Sequence, residues 1–255
     1  MKFKWLPLLL TGLISLLLPS TGQAQLKIGV MFFDPPLVMS PMQGFHVDLA
    51  NKICQGLQEK CILLPMVWNQ LFVAIDKGDI DLIIGVFITA QRAKKYIFSI
   101  PYMQSYGRFI VLRASNITNF KQLNGKKVGT LKEEVNTGIF ASYLQANYSN
   151  NFKIVDYKDI GVLLTSLVNK SIKAALLHAR AVNYWVANTS GIFSILGPVF
   201  PLGGGYSIMA LPGNQPLIDK INQQIQLIKA NGEFAKIYDT YFFDAVDLSI
   251  PKPQQ

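Results

Sequence analysis

Short apolar runs alternate with helix-period patterns along the whole chain, and this alternation commits it to an α/β architecture. Leu26 to Met31 reads as a first strand, and Pro35-Pro36 forces an extended loop after it. A helix over Val47 to Gln58 and a strand over Ile62 to Met66 follow. Asn69 reads as the cap of a short amphipathic helix closed by Gly78. Leu82 to Ile84 is a buried parallel strand, and Phe109 to Leu112 a long apolar one that leaves this first unit. A second unit opens at the turn Asn124-Gly125. It continues as a strand at Lys126 to Thr130, a helix over about Glu134 to Asn147 and a strand at Phe152 to Val155. A helix over about Asp159 to Asn169 and a strand at Ala174 to Leu177 complete it. Past Gly203-Gly204-Gly205 the chain re-enters a strand, Tyr206 to Leu211. Pro216 then starts a helix with apolar residues at 217, 218, 221, 225 and 228, ended by Gly232. The expected organisation is two lobes, each a mostly parallel sheet flanked by helices. Residues 25–107 and 205–244 form lobe 1, residues 108–204 form lobe 2, and residues 245–255 form a tail. Two crossings, near Tyr106 to Phe109 and Gly203 to Tyr206, form the hinge.

Residues 1–24 have the composition of a secretory signal. Lys2 and Lys4 precede an apolar run, Leu8 to Leu18, and Gly22-Gln23-Ala24 offers a small-residue cleavage site. The run is shorter than the roughly 20 residues a spanning helix needs, and Pro7 and Pro19 break it. Removing 24 of 255 residues leaves 231, a length that suits two lobes. That remainder carries 22 basic against 15 acidic residues, a net +7, with no run of five or six bases. The spread argues against a nucleic-acid surface and for compatibility with anionic solutes or membranes. Neither metal nor cofactor is expected, because the two histidines and two cysteines lack zinc-ligand spacing. In an exported protein the even pair Cys54 and Cys61 suggests a disulfide.

The stretch Gly78 to Tyr102, G-D-I-D-L-I-I-G-V-F-I-T-A-Q-R-A-K-K-Y-I-F-S-I-P-Y, points to chemistry. A strand runs out into a loop where Thr89 can cap a short helix, with Arg92 in its first turn. Free N–H groups at a helix start and a planar guanidinium together make a carboxylate-binding device. The stretch Ile88 to Tyr102 resembles the threonine, x, x, arginine element and F-S-x-P-Y of the family 3 solute-binding proteins, periplasmic receptors of amino-acid ABC transporters. G-F-H-V-D-L-A (Gly44 to Ala50) resembles that family's glycine, aromatic, acid, hydrophobic, aspartate, leucine signature. G-E-F-A-K-I-Y-D-T-Y-F (Gly232 to Phe242) resembles its last helix. The cysteine spacing is similar to that of histidine- and lysine-arginine-ornithine-binding members, and glutamine-binding members belong to the same group.

The resemblance implies a two-lobed periplasmic-binding-protein type II fold with two hinge crossings, and a ligand between the lobes. Arg92 would pair with the ligand's carboxylate, helped by backbone N–H groups near Gly85 and Glu134. Trp68 falls where the family places an aromatic, and Phe33 and Asp34 occupy the loop after the first strand. Three departures stand out. Phe87 replaces the serine or threonine that accepts from an ammonium, and Glu133-Glu134 replaces a glycine-threonine pair. Ala179, within His178-Ala179-Arg180, stands where an aspartate would bind the α-ammonium. A buried ammonium without its partner is costly. Glu134 or Asp34 would therefore have to supply the charge, or the solute is not an α-amino acid and Arg180 joins Arg92 on a second anionic group. His46 reads as a surface variant of the usual acid.

The implied function is non-catalytic capture of a small polar, carboxylate-bearing solute, an amino acid by default with basic or polar ones favoured. A monomer in the periplasm would close by a hinge motion and present both lobes to a membrane permease, with no nucleic-acid partner. The alternative is an enzyme resembling periplasmic cyclohexadienyl dehydratases, acting on prephenate or arogenate. It would cast His178 or Glu134 as general acid and the two arginines as carboxylate clamps.

Overall fold

A computed structural model describes residues 25–132, 138–148 and 151–242. The expected leader, the Glu133-Glu134 pair and the tail from 245 fall outside these residues. In chain order lobe 1 opens with β1 (Leu26–Met31), α1 (Phe45–Leu57), β2 (Cys61–Met66), α2 (Trp68–Lys77), β3 (Leu82–Phe87) and β4 (Ile97–Phe98). The second lobe holds β5 (Tyr106–Leu112), β6 (Lys127–Leu131), α3 (Ile139–Tyr148), β7 (Lys153–Tyr157), α4 (Ile160–Val168), β8 (Ala174–His178), α5 (Ala179–Asn188) and β9 (Phe193–Pro201). The chain returns to lobe 1 as β10 (Tyr206–Ala210), α6 (Gln215–Ala230) and α7 (Glu233–Phe242).

Each lobe is one five-stranded sheet, β2-β1-β3-β10-β4 in the first and β7-β6-β8-β5-β9 in the second. The two orders follow one plan. Both sheets are mixed, rather than mostly parallel in their pairings: β1 pairs parallel with β2 and β3, whereas β10 runs antiparallel to β3 and β4. In the second sheet β6 pairs parallel with β7 and β8, and β5 runs antiparallel to β8 and β9. The reversed strand in each case has just arrived from the other lobe. It enters from the inter-lobe side and runs against both of its neighbours in the sheet.

Burial on both faces explains why these strands read as near-continuous apolar runs. In lobe 1, Ile28, Leu82, Ile84 and Ile208 pack with α1, α6 and α7 residues, while Ile83, Val86 and Met209 pack with Leu71 and Ile75 of α2. In lobe 2, Phe109, Val128 and Leu176 face Phe140 and Leu144 of α3, and Ile110, Ala175 and Leu177 face Leu163 and Leu167 of α4. Asp159 caps α4, its Oδ1 accepting from Val162 N at 3.0 Å, and Gly78 ends α2 in a left-handed conformation (φ 75°). Asn69 does not cap α2: Val67 holds the cap position, two residues earlier, and the helix starts at Trp68.

The connections between sheets lie at 99–105 and 202–205, the first a few residues ahead of the expected one because β5 already begins at Tyr106. They run side by side. Tyr102 N donates to Tyr206 O at 2.9 Å, Tyr206 N to Met103 O at 2.7 Å, and Leu202 N to Ser105 O at 3.0 Å. A disulfide joins Cys54 in the last turns of α1 to Cys61 at the start of β2.

Candidate functional site

Parallel strands of one sheet deliver their carboxyl ends to one edge, and the loops leaving that edge build a site. Both lobes do this toward a shared cavity of about 140 Å³. From lobe 1 it is lined by Met31 to Asp34 after β1, by Val67 and Trp68 after β2, and by Gly85 and Phe87 at the end of β3. From lobe 2 come Leu131 and Lys132 after β6, Lys158 to Ile160 after β7, and His178 at the end of β8. His46 of α1, Phe140 of α3 and Tyr206 of β10 complete the wall. The lobes touch at its base through an aromatic contact. The Phe87 ring lies 4.5 Å from that of His178 and 4.2 Å from that of Tyr206, while Phe140 lies 4.6 Å from His178 on the lobe 2 side.

Arg92 stands one layer behind this lining, buried at 4 % exposure. Gln91, not Thr89, holds the cap position of its short 3-10 turn, Arg92–Lys94, but Thr89 Oγ1 still accepts from Arg92 N at 3.2 Å. The guanidinium donates from Nη1 to Phe87 O at 3.0 Å and lies 5.2 Å from the Trp68 ring centre and 5.3 Å from that of Phe72. Two lining residues, Trp68 and Phe87, are thus held in place by the one arginine. Their cation–π and hydrogen-bond contacts keep its charge next to the cavity.

Of the residues singled out in the sequence, Phe33, Asp34, Trp68, Gly85, Phe87 and His178 meet at the cavity wall, and Arg92 lies directly behind it. Glu134 lies outside the described residues. Arg180 does not reach the site. Its Nη2 donates to Tyr238 Oη at 3.0 Å, and its guanidinium lies 5.2 Å from the Phe242 ring centre, so α5 of lobe 2 is clasped to α7 of lobe 1. The reason is its placement: β8 ends at His178, and Arg180 is the second residue of the helix that leaves the edge. His46, read as a surface position, is 2 % exposed and lines the cavity. Phe32, Lys132, Phe140, Lys158, Asp159, Ile160 and Tyr206 were not foreseen. The strand-end rule applied to β6 and β7 would have found Lys132 and the 158–160 segment, whereas nothing local marks Phe140 or Tyr206.

Burial controls the ionisable groups here. Desolvation pushes the Asp34 carboxyl up to about 7 and the His46 imidazole down to about 3. His178 is also lowered to about 3, by desolvation first and by the nearby Arg180 charge second. Its Nδ1 lies 3.4 Å from Ser105 Oγ of the first connection. Both imidazoles are therefore uncharged near neutrality, while Lys132 and Lys158 bring positive charge to the lobe 2 wall. Phe32 and Phe33 stay 59 % and 41 % exposed, leaving an apolar lip.

The model of the bacterial extracellular solute-binding proteins, family 3, matches residues 26–244. The chain is 28 % identical over 230 residues to an arginine-binding periplasmic protein of Mannheimia haemolytica, covering 87 % of this chain and 92 % of that one. It is 27 % identical over 208 residues to a probable histidine-binding protein of Neisseria gonorrhoeae, covering 79 % and 75 %. Among solved structures, an arginine 3rd transport system periplasmic binding protein from Legionella pneumophila superposes with a TM-score of 0.80 at 33 % identity, covering 86 % of this chain and 99 % of that one. The matched range spans both lobes and both connections, and the chain belongs to the bacterial extracellular solute-binding proteins, family 3.

Proposed function

We propose that the chain captures a small carboxylate-bearing solute, an amino acid, between its two lobes and presents it to the permease of an amino-acid ABC transporter. The observation that carries this reading is the cavity itself. It is lined from the carboxyl edges of two sheets, and the only covalent links between those sheets among the described residues are the paired segments 99–105 and 202–205. Closure about such a pair buries a ligand without repacking either lobe. A basic amino acid is favoured because the relatives named for arginine and histidine align over most of the chain. The cavity also offers Trp68 and Phe33 as flat apolar surfaces and Asp34 as an acid. The carboxylate end is assigned to the Arg92 side, where Trp68 and Phe87, both in contact with the guanidinium, line the cavity. Delivery to the periplasm by the leader, action as a monomer and the lobe limits 25–107, 108–204 and 205–244 belong to the same proposal.

The dehydratase alternative requires a proton donor at the site. His178 is held unprotonated by burial, and Arg180 is turned away onto Tyr238, so two of its four cast residues are unsuited to their roles. Thermal-shift screening with L-arginine, L-histidine, L-cystine and the remaining common amino acids tests the receptor reading. A saturable upward shift with at least one of them is expected, and turnover of prephenate to an ultraviolet-absorbing product without any such shift would replace receptor by enzyme.

A further inference from the structure

The chain contains two histidines, and both line the same cavity, His46 from lobe 1 and His178 from lobe 2. His178 already has the Ser105 hydroxyl near its Nδ1. The His46 ring is placed with care but left unsatisfied. It lies against Gly85, where a Cβ would come within 2.6 Å of its Cε1 and 2.7 Å of its Nδ1, so only glycine lets the imidazole occupy the cavity floor. Tyr102 meets it at 5.9 Å and 82°, and Tyr206 at 5.5 Å, fixing the ring plane between them. Its Nε2 is buried with no hydrogen-bond partner. Packing accounts for the carbons of this ring and not for the nitrogen, since buried polar atoms are ordinarily satisfied. Trp68 Nε1, a donor only, is buried and unsatisfied in the same lining.

The surroundings indicate what such a pair would meet. Lys132 and Lys158 line the opposite wall, and the Arg92 charge lies against Trp68. Asp159 and Asp34 line the same cavity, so a cationic end of the solute has an acid to meet while the positive groups here suit its oxygen acceptors. Burial keeps the imidazole neutral, so it can offer one N–H without bringing charge of its own. We propose that His46 is a solute-contacting residue, donating a hydrogen bond to a carboxylate or carbonyl oxygen of the solute and setting specificity at that end of the cavity. This inference rests on the reading of the cleft as a solute site and adds a contact to it.

Because there are only two histidines, the imidazole ¹⁵N signals of the intact chain are assigned by comparison with His46→Gln. L-arginine, L-histidine, L-cystine and the remaining common amino acids serve as probes, with calorimetry on wild type, His46→Phe and His46→Gln. On saturation with a probe that binds, the His46 ring signals should move. His46→Phe should lose about tenfold in affinity or more, with partial recovery in His46→Gln, which keeps an N–H. Unmoved His46 signals at saturation, or full affinity in a folded His46→Phe, overturn this contact while leaving the receptor reading intact. If no probe binds wild type by either measurement, the proposed function and this contact fail together.

Discussion

At the scale of single residues, three buried ionisable groups with displaced pKa values make the molecule's pH response calculable in sign. His46 and His178 sit near 3 in the fold against about 6.5 in the unfolded chain. Between those values the unfolded state holds the extra protons, so each histidine contributes a stability that rises with pH and is lost on acidification below about 6.5. Asp34, raised to about 7, has the opposite sign. The fold keeps its proton while the unfolded carboxylate, near 3.9, has released it, so stability falls as pH climbs from about 4 to 7. Two histidines outweigh one aspartate, and the net slope from about pH 4 to 6.5 should be positive, near 1.4 kcal/mol per unit. Urea midpoints measured across this range test it, and Asp34→Asn should steepen the acid limb and raise stability at pH 7. A cationic solute beside Asp34 would draw its proton off. L-arginine binding at pH 6.5 should therefore release protons, visible as a dependence of calorimetric heat on the buffer's ionisation enthalpy. Arg92→Ala tests the carboxylate assignment directly: deleting a charged donor should weaken binding by roughly 1.5–3 kcal/mol, and unchanged affinity would remove that role.

At the scale of elements, the Cys54–Cys61 bond closes a seven-residue separation between α1 and β2. Short loops gain least from cross-linking, so reduction or Cys54→Ser should cost about 2 kcal/mol, read as a lower urea midpoint. Free-thiol titration of the oxidised chain should find none. This turn, together with β1, β10 and the body of α6, was legible in the sequence because each has strong apolar periodicity and a clear stop. Other elements were not. β4 is two residues long, Ile97 and Phe98, and exists only as a partner to β10. β9 contains Gly197, Pro198 and Pro201, which read as loop, yet it is an edge strand where missing N–H groups are tolerated. α5 begins directly at the end of β8, and its cap residue, His178, makes no side-chain cap bond, so no start signal is written there. Missing α5 is what allowed Arg180 to be assigned to the cavity. The burial of His46 is equally unmarked locally: its ring lies against Gly85, thirty-nine residues on, and no local pattern records that pairing.

At the scale of the whole molecule, the order lobe 1, lobe 2, lobe 1 was readable from the glycine-rich return, but what locks the lobes together was not. Arg180 of α5 reaches Tyr238 of α7 and, at 3.5 Å, the Gln104 carbonyl of the first connection. Tyr238→Phe keeps the stacked ring and removes one charge-assisted bond. It should cost roughly 1.5–3 kcal/mol, measured by denaturant unfolding; a loss within error would show the clasp to be energetically idle. The sheet orders carry a separate consequence. Lobe 2's strands, β5 to β9, are contiguous in the chain, whereas lobe 1 has β10 wedged between β3 and β4. As the polypeptide emerges from a ribosome or a translocation pore, the first ninety-odd residues can only make a ladder with a vacant rung. That rung is filled once residues 206–210 arrive, so the amino-terminal strands stay incompletely zipped, and threadable, until all of lobe 2 has been made.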